Sequence, residues 1–205
     1  MSLDHLWAGW RSAYINALVD PAQDAERGTA GSDGAVTRPA PSELPGSSDL
    51  PGTVPVPGCV MCNIVTASDD AQALVVFRGQ TVVAALNAYP YSSAHLMIFP
   101  RRHVPSLDDL TEAEGVELVT VTQAALRTLR VEYRPQGFNV GMNIGAAGGA
   151  GVPGHLHEHV VPRWAGDTNF MTAIADTRVL PEALSVTRDR LVRAWRDSES
   201  PAANT

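Results

Sequence analysis

Apolar positions first recur along the chain at helical spacing. Leu3, Leu6, Trp7, Trp10, Tyr14, Ile15 and Leu18 follow a 3.6-residue repeat, which predicts an amphipathic helix over 1–20. Residues 21–58 break that pattern. Pro, Gly, Ser, Ala and Asp dominate there and large apolar side chains nearly vanish, so a flexible linker is expected. From Cys59 onward apolar density rises. Ala73–Phe77 (ALVVF) and Thr81–Leu86 (TVVAAL) read as strands joined by a turn at Arg78–Gly79, and His95–Phe99 (HLMIF) as a third strand closed by Pro100. Thr111 and Glu114 form a Thr-x-x-Glu capping box ahead of a helix running to about Arg130, with Val116, Val119, Leu126 and Leu129 on one face. Gly137–Ile144 predicts a fourth strand, Gly145–Gly154 a flexible glycine-rich loop, and His155–Val161 a fifth strand ended by Pro162. Pro181 opens a last helix, in whose first turn a proline is tolerated, reaching about Arg196. Strands and helices do not alternate strictly, so the expected class is α+β: an antiparallel sheet of about five strands with a long helix and a C-terminal helix. The folded domain is expected over 59–197, with a disordered tail at 198–205.

Composition narrows the chemistry. A formal net charge of −7 argues against a sequence-independent grip on nucleic acid, which needs a basic surface. All 15 basic residues are arginine, so neither a Schiff-base lysine nor a Walker-type phosphate lysine is available. Cys59 and Cys62 are the only cysteines, too few for a secreted disulfide framework. No stretch approaches the roughly 18 apolar residues of a membrane span, and Met1–Asp20 lacks the pattern of a signal peptide. The expected location is the cytoplasm, with no membrane partner.

Three of the six histidines fall in five residues, as His155-Leu156-His157-Glu158-His159. On a strand, alternation puts all three imidazoles on one face. Neutral imidazole is a nucleophile at phosphorus near neutral pH, provided one ring nitrogen is held by a hydrogen bond so that the other presents its lone pair. A neighbouring histidine can donate to phosphate oxygens. The glycines of the preceding loop, Gly149 and Gly151 among them, let backbone amides approach a ligand closely. Two other readings stay open on the residues alone: a polar face on an exposed strand, and a three-histidine metal site. Cys59-Val60-Met61-Cys62 is equally open between a redox pair, two free thiols and half of a zinc site.

The run His155-Leu156-His157-Glu158-His159-Val160-Val161 resembles the His-x-His-x-His-x-x motif of the histidine-triad (HIT) superfamily. Its continuation, Pro162-Arg163-Trp164-Ala165-Gly166-Asp167-Thr168-Asn169-Phe170-Met171, is similar to the branch containing diadenosine tetraphosphate phosphorylases. Leu86-Asn87-Ala88-Tyr89-Pro90-Tyr91 and His95–Pro100 resemble the family's nucleoside-binding strand pair, and the segment from Asn143 to His155 resembles its phosphate loop. The resemblance spans roughly Cys59 to Arg196. It implies His157 as the nucleophile forming a nucleotidyl–histidine intermediate, with His159 and His155 completing the triad and His159 assisting at the phosphates. It implies substrate contacts from Asn87 (ribose), His95, Asn143 (phosphate), Gly149, Gly151 and Trp164, and a homodimer. Zinc-containing relatives and galactose-1-phosphate uridylyltransferases combine a Cys-x-x-Cys, a later histidine and the first histidine of the triad. That implies a structural Zn²⁺ on Cys59, Cys62, His103 and His155. The implied reaction is cleavage at the α-phosphate of a nucleoside polyphosphate, with water (hydrolase) or inorganic phosphate (phosphorylase) taking up the nucleotidyl group and the Pro162–Phe170 stretch favouring phosphorolysis. The alternative is a nucleotide-binding sensor without turnover. The chain departs from the family in Val152-Pro153-Gly154, where a hydroxyl and an acidic residue are usual, and in Glu158, where an apolar residue is usual.

Overall fold

The computed structural model describes residues 54–167 and 181–199, all within the second of the chain's two units, Asp49–Thr205. The predicted N-terminal helix, the linker up to residue 53 and the tail beyond residue 199 lie outside the described residues. The element order is α1 (Val60–Thr66), β1 (Val75–Arg78), β2 (Val82–Leu86), β3 (Leu96–Pro100), a 3₁₀ turn (Leu107–Asp109), α2 (Glu112–Tyr133), β4 (Gly137–Met142), β5 (Glu158–Arg163) and α3 (Leu184–Glu199). The strands make one antiparallel sheet in the order β1-β2-β3-β5-β4. The α+β expectation therefore holds. Among the described residues, no helix is long and apolar enough to cross a membrane.

β2 and β3 are buried along their whole length because both faces of the sheet are covered, which is why they read as unbroken apolar runs. Val82, Ala84, Leu86, Leu96 and Ile98 pack under α2 and α3 with Leu118, Val121, Ala125, Leu129, Leu191 and Trp195. Val83, Ala85, Met97 and Phe99 face the other way, onto α1 with Met61 and the two cysteines. A bulge in β1 lets Val75 join the α1 side while Val76 and Phe77 turn toward the helices. There Phe77 stacks on Trp195 at 5.0 Å, and Arg188 donates to the Val75 carbonyl at 2.8 Å, docking α3 on the sheet edge.

Several boundaries differ from the sequence reading, each for a local reason. β5 starts at Glu158, not His155, because the Leu156 amide bonds the Val104 carbonyl at 2.6 Å instead of joining the ladder. It runs through Pro162 to Arg163, since β3 pairs with it only as far as Val160 and no ladder partner there needs the missing amide. The last helix opens at Leu184, so Pro181 precedes its first turn. Gly145–Gly154 contains a tight turn, with the Gly149 amide on the Ala146 carbonyl at 2.9 Å and the Ala150 amide on the Gly145 carbonyl at 3.3 Å. In α2 the buried stripe is Glu114, Leu118, Val121, Ala125, Thr128 and Leu129, which leaves Val116 and Val119 on the outside.

The predicted capping box is present: the Thr111 hydroxyl accepts from the Glu114 amide at 3.3 Å, and the Glu114 carboxylate accepts from the Thr111 amide at 2.8 Å. The same carboxylate takes two bonds from Arg102, at 2.7 and 2.9 Å, and Arg102 also donates to the Asp109 carbonyl at 2.7 Å. Both partners are buried. Burial by itself raises the Glu114 carboxyl, but the bonds from Arg102 and Thr111 outweigh it and hold the group below the usual carboxylate range. A carboxyl depressed on folding contributes stability above its unfolded pKa and loses it as pH falls through the folded value. Glu114→Gln is therefore expected to cost about 3 kcal/mol near neutral pH. In urea titrations the gap to wild type should narrow progressively below the normal carboxylate range; a gap independent of pH would show that the charge is not what matters.

Candidate active site and metal centre

The β3–β5 register sorts the residues of the histidine run. Met97 pairs with His159 and Ile98 with Glu158. His159 thus shares the α1 face with Met97, while Glu158 turns to the opposite face and bonds the Thr122 hydroxyl on α2. Burial raises the Glu158 carboxyl, with the Thr122 bond opposing. The departure from the apolar pattern therefore lies on the helix side of the sheet, away from the imidazoles.

His155 turns toward the cysteines. Its Nδ1 lies 3.4 Å from Cys59 Sγ and 3.6 Å from Cys62 Sγ, and His103 Nδ1 lies 3.4 Å from Cys62 Sγ. One donor atom from each of the four residues falls within 4.8 Å of every other. Tetrahedral coordination with the usual metal–sulfur and metal–nitrogen lengths requires sulfur–nitrogen edges of about 3.5 Å, so the quartet fits a metal ion. The surroundings agree with that chemistry. Because the Pro100 carbonyl can only accept, His155 donates to it from Nε2 at 2.9 Å, which leaves Nδ1 with its lone pair toward the sulfurs. The Val56 amide donates to Cys62 Sγ at 3.4 Å. Burial pushes the Cys62 thiol up and the His155 imidazolium down to about 4. A bound cation would offset the cost of the thiolate, and the histidine is already neutral. Gly154 borders this quartet: a Cβ there would lie 3.4 Å from His103 Nε2, in ordinary van der Waals contact.

His157 stands outside the quartet. Its Nδ1 donates to the His155 carbonyl at 2.8 Å, so in the neutral ring the lone pair is on Nε2, the arrangement a nucleophile needs. Its ring meets that of His159 edge-on, with centroids 5.0 Å apart. A second chain of bonds fixes His159. The Tyr91 amide, a donor only, bonds His95 Nδ1 at 3.1 Å. His95 therefore donates from Nε2 to His159 Nδ1 at 3.0 Å, and the His159 proton sits on Nε2. Burial lowers the His159 imidazolium to about 4, with repulsion from His157, when that ring is protonated, a smaller contribution, so His159 is a neutral donor at physiological pH.

The remaining predicted site residues fall into place unevenly. His95 is fully buried behind His159 and acts through it. Asn87 caps its own turn, accepting from the Tyr89 amide at 2.9 Å, with its Nδ2 3.5 Å from His95 Nδ1. Asn143 follows Met142, the partner of Glu158, and so stands level with His157. Gly149 has a φ of 84°, and its amide is used inside the loop; Gly151 is exposed. Trp164 lies beyond the far end of β5, about 20 Å along the chain from His157. There it belongs to a turn closed by Arg163 and Asp167 at 2.6 and 2.9 Å. The sequence reading missed Tyr91 and the carbonyls of Pro100 and His155. The Tyr-Pro-Tyr turn so near His95 was the one available signal for Tyr91; backbone acceptors leave no trace in a sequence.

Comparison with known proteins agrees with this geometry. A family model for the HIT domain matches residues 68–166. The chain is 49% identical over 126 residues to an AP-4-A phosphorylase of Mycobacterium tuberculosis, a match covering 62% of this chain and 65% of that protein, just under two thirds of its length. A crystal structure of a Zn-bound histidine triad family protein from Mycobacterium smegmatis superposes with a TM-score of 0.57 at 26% identity, over 69% of this chain and 96% of the other. A hypothetical histidine triad nucleotide-binding protein from Sulfolobus tokodaii shares the fold, with a TM-score of 0.58 at 21% identity over 71% and 97% of the two chains. Residues 68–166 are thus similar to the HIT domain, and the sheet order and the braced central imidazole of the triad accord with that similarity.

Proposed function

We propose that this protein cleaves dinucleoside polyphosphates at the α-phosphate through a nucleotidyl–His157 intermediate, with inorganic phosphate as the second acceptor. The observation carrying this reading is the His157 Nδ1–H bond to the His155 carbonyl, which presents Nε2 as a lone pair while the metal quartet leaves that ring unligated. In the first step Nε2 forms a bond to the α-phosphorus. The bond from phosphorus to the bridging oxygen breaks, and its electron pair leaves with the departing nucleotide. In the second step a phosphate oxygen attacks the same phosphorus and expels Nε2, giving a nucleoside diphosphate and free His157. His159 donates from Nε2 to a non-bridging oxygen, and Asn143, level with His157, contacts the phosphates. Asn87 meets the ribose. The similarity to the AP-4-A phosphorylase favours phosphate over water in the second step.

The ion we propose for the quartet is zinc, held by Cys59, Cys62, His103 and His155. Two sulfurs and two imidazole nitrogens make a closed tetrahedral set of structural type, and the M. smegmatis relative supports the choice. Bound there, zinc supplies folding energy and no reaction chemistry. Ligands that must stay reduced suit a cytoplasmic setting. The edge strand β4, with Val140 exposed, and the outward Val116 and Val119 of α2 suit a homodimer contact.

With diadenosine tetraphosphate, ADP and ATP should form only when phosphate is supplied; AMP formed without phosphate would mean hydrolysis. His157→Ala should lose at least about a thousandfold in turnover, and near-normal turnover would remove His157 as nucleophile. Tight nucleotide binding by wild type with no product under either condition would turn the reading to a sensor. Metal analysis should find one zinc per chain. Cys62→Ser should abolish that stoichiometry and lower the melting temperature by roughly 5–10 °C; an unchanged zinc content would remove the quartet as the site.

A further inference from the structure

Tyr91 meets both members of the second histidine pair. Its amide donates to His95 Nδ1, and its ring lies over the imidazoles of His95 (centroids 4.6 Å apart, planes at 40°) and His159 (5.6 Å, 29°). The residue is half exposed, whereas His95 beneath it is sealed from solvent. The turn that carries it is fixed at two further points. Ser92 Oγ donates to the Pro162 carbonyl of β5 at 2.7 Å, and buried Ala94 holds a left-handed φ of 59°, a conformation a non-glycine residue keeps only when its surroundings impose it.

We propose that Tyr91 is a positioning residue: its amide and its ring together maintain the His95–His159 hydrogen bond and so hold His159 in its phosphate-facing orientation. The amide decides which nitrogen of His95 carries the proton. The ring keeps water from competing for an N–H···N bond that would otherwise exchange with solvent, and the face-on packing restricts rotation of the His159 ring. A bond between two neutral nitrogens is worth little in water and more where water is excluded. The low His159 pKa reflects the same dryness. Which substrate benefits rests on the proposed function; the hydrogen bond itself does not.

Two variants and two readouts test this on the full chain with its metal bound. Nitrogen-15 spectra of the imidazole rings should show, in wild type, a His95 proton on Nε2 that exchanges slowly enough to be seen. Tyr91→Phe keeps the ring and should keep that resonance and the turnover. Tyr91→Ala should lose the resonance to exchange with water and lower kcat about tenfold, with KM changed less than twofold, as expected when a group is misplaced without loss of substrate contacts. The proposal is overturned if Tyr91→Ala retains both the resonance and kcat, or if KM rises while kcat holds, which would make Tyr91 a substrate contact. It is overturned without any variant if the wild-type His95 proton is on Nδ1. Were wild type to turn over no dinucleoside polyphosphate, the proposed function would fail, and the resonance in the three proteins would still decide the role of Tyr91.

Discussion

The site depends on the several directional bonds of one residue. His155 directs Nδ1 to the sulfurs, Nε2–H to the Pro100 carbonyl, its amide to the Val152 carbonyl and its own carbonyl to His157. Each of these fixes a different degree of freedom. The side-chain pair sets the plane of the ring, and the backbone pair anchors the peptides on either side of it. The quartet and His157 are therefore joined through a single residue, and anything that moves the quartet also tilts the peptide carbonyl that accepts from His157.

The rest of the fold keeps that peptide in place. Arg102, adjacent to His103 of the quartet, is tied by Glu114 to the start of α2 and by the Asp109 carbonyl to the 3₁₀ turn. The Val104 carbonyl takes the Leu156 amide, so the two histidine-bearing segments are joined directly. β5 lies inside the sheet, between β3 and β4, so the strand carrying His159 is braced on both sides. The reactive layer rests on the α1 side, and the helices α2 and α3 cover the other face with most of the apolar core.

Much of this was legible in the sequence because it is local. The capping box needs only Thr111 and Glu114, and the apolar runs of β2 and β3 report two covered faces without further help. The elements that escaped depend on partners distant along the chain. Val60–Thr66 is a short run rich in β-branched residues, and it is helical while its cysteines converge on His103 and His155, 41 or more residues away. His155 and His157 alternate like strand residues, yet the chain before Glu158 is bonded to Val104 and Val152 instead of to a neighbouring strand. On α2 the inner stripe includes the polar Glu114 and Thr128, so an apolar count favours the wrong face at Val116 and Val119. The triad itself was plain; that His155 turns to the cysteines while His157 stands outside the quartet and donates to a carbonyl depends on positions no sequence displays.

The alternation along β5 carries a parity constraint. With Glu158 under α2 and its two flanking histidines on the opposite face, a slip of one residue against β3 would bring the carboxylate to the face the imidazoles now hold and drive imidazoles into the greasy interior. A one-residue insertion after Glu158 would turn His159 from the α1 face to the helix side of the sheet and leave Glu158 where it is.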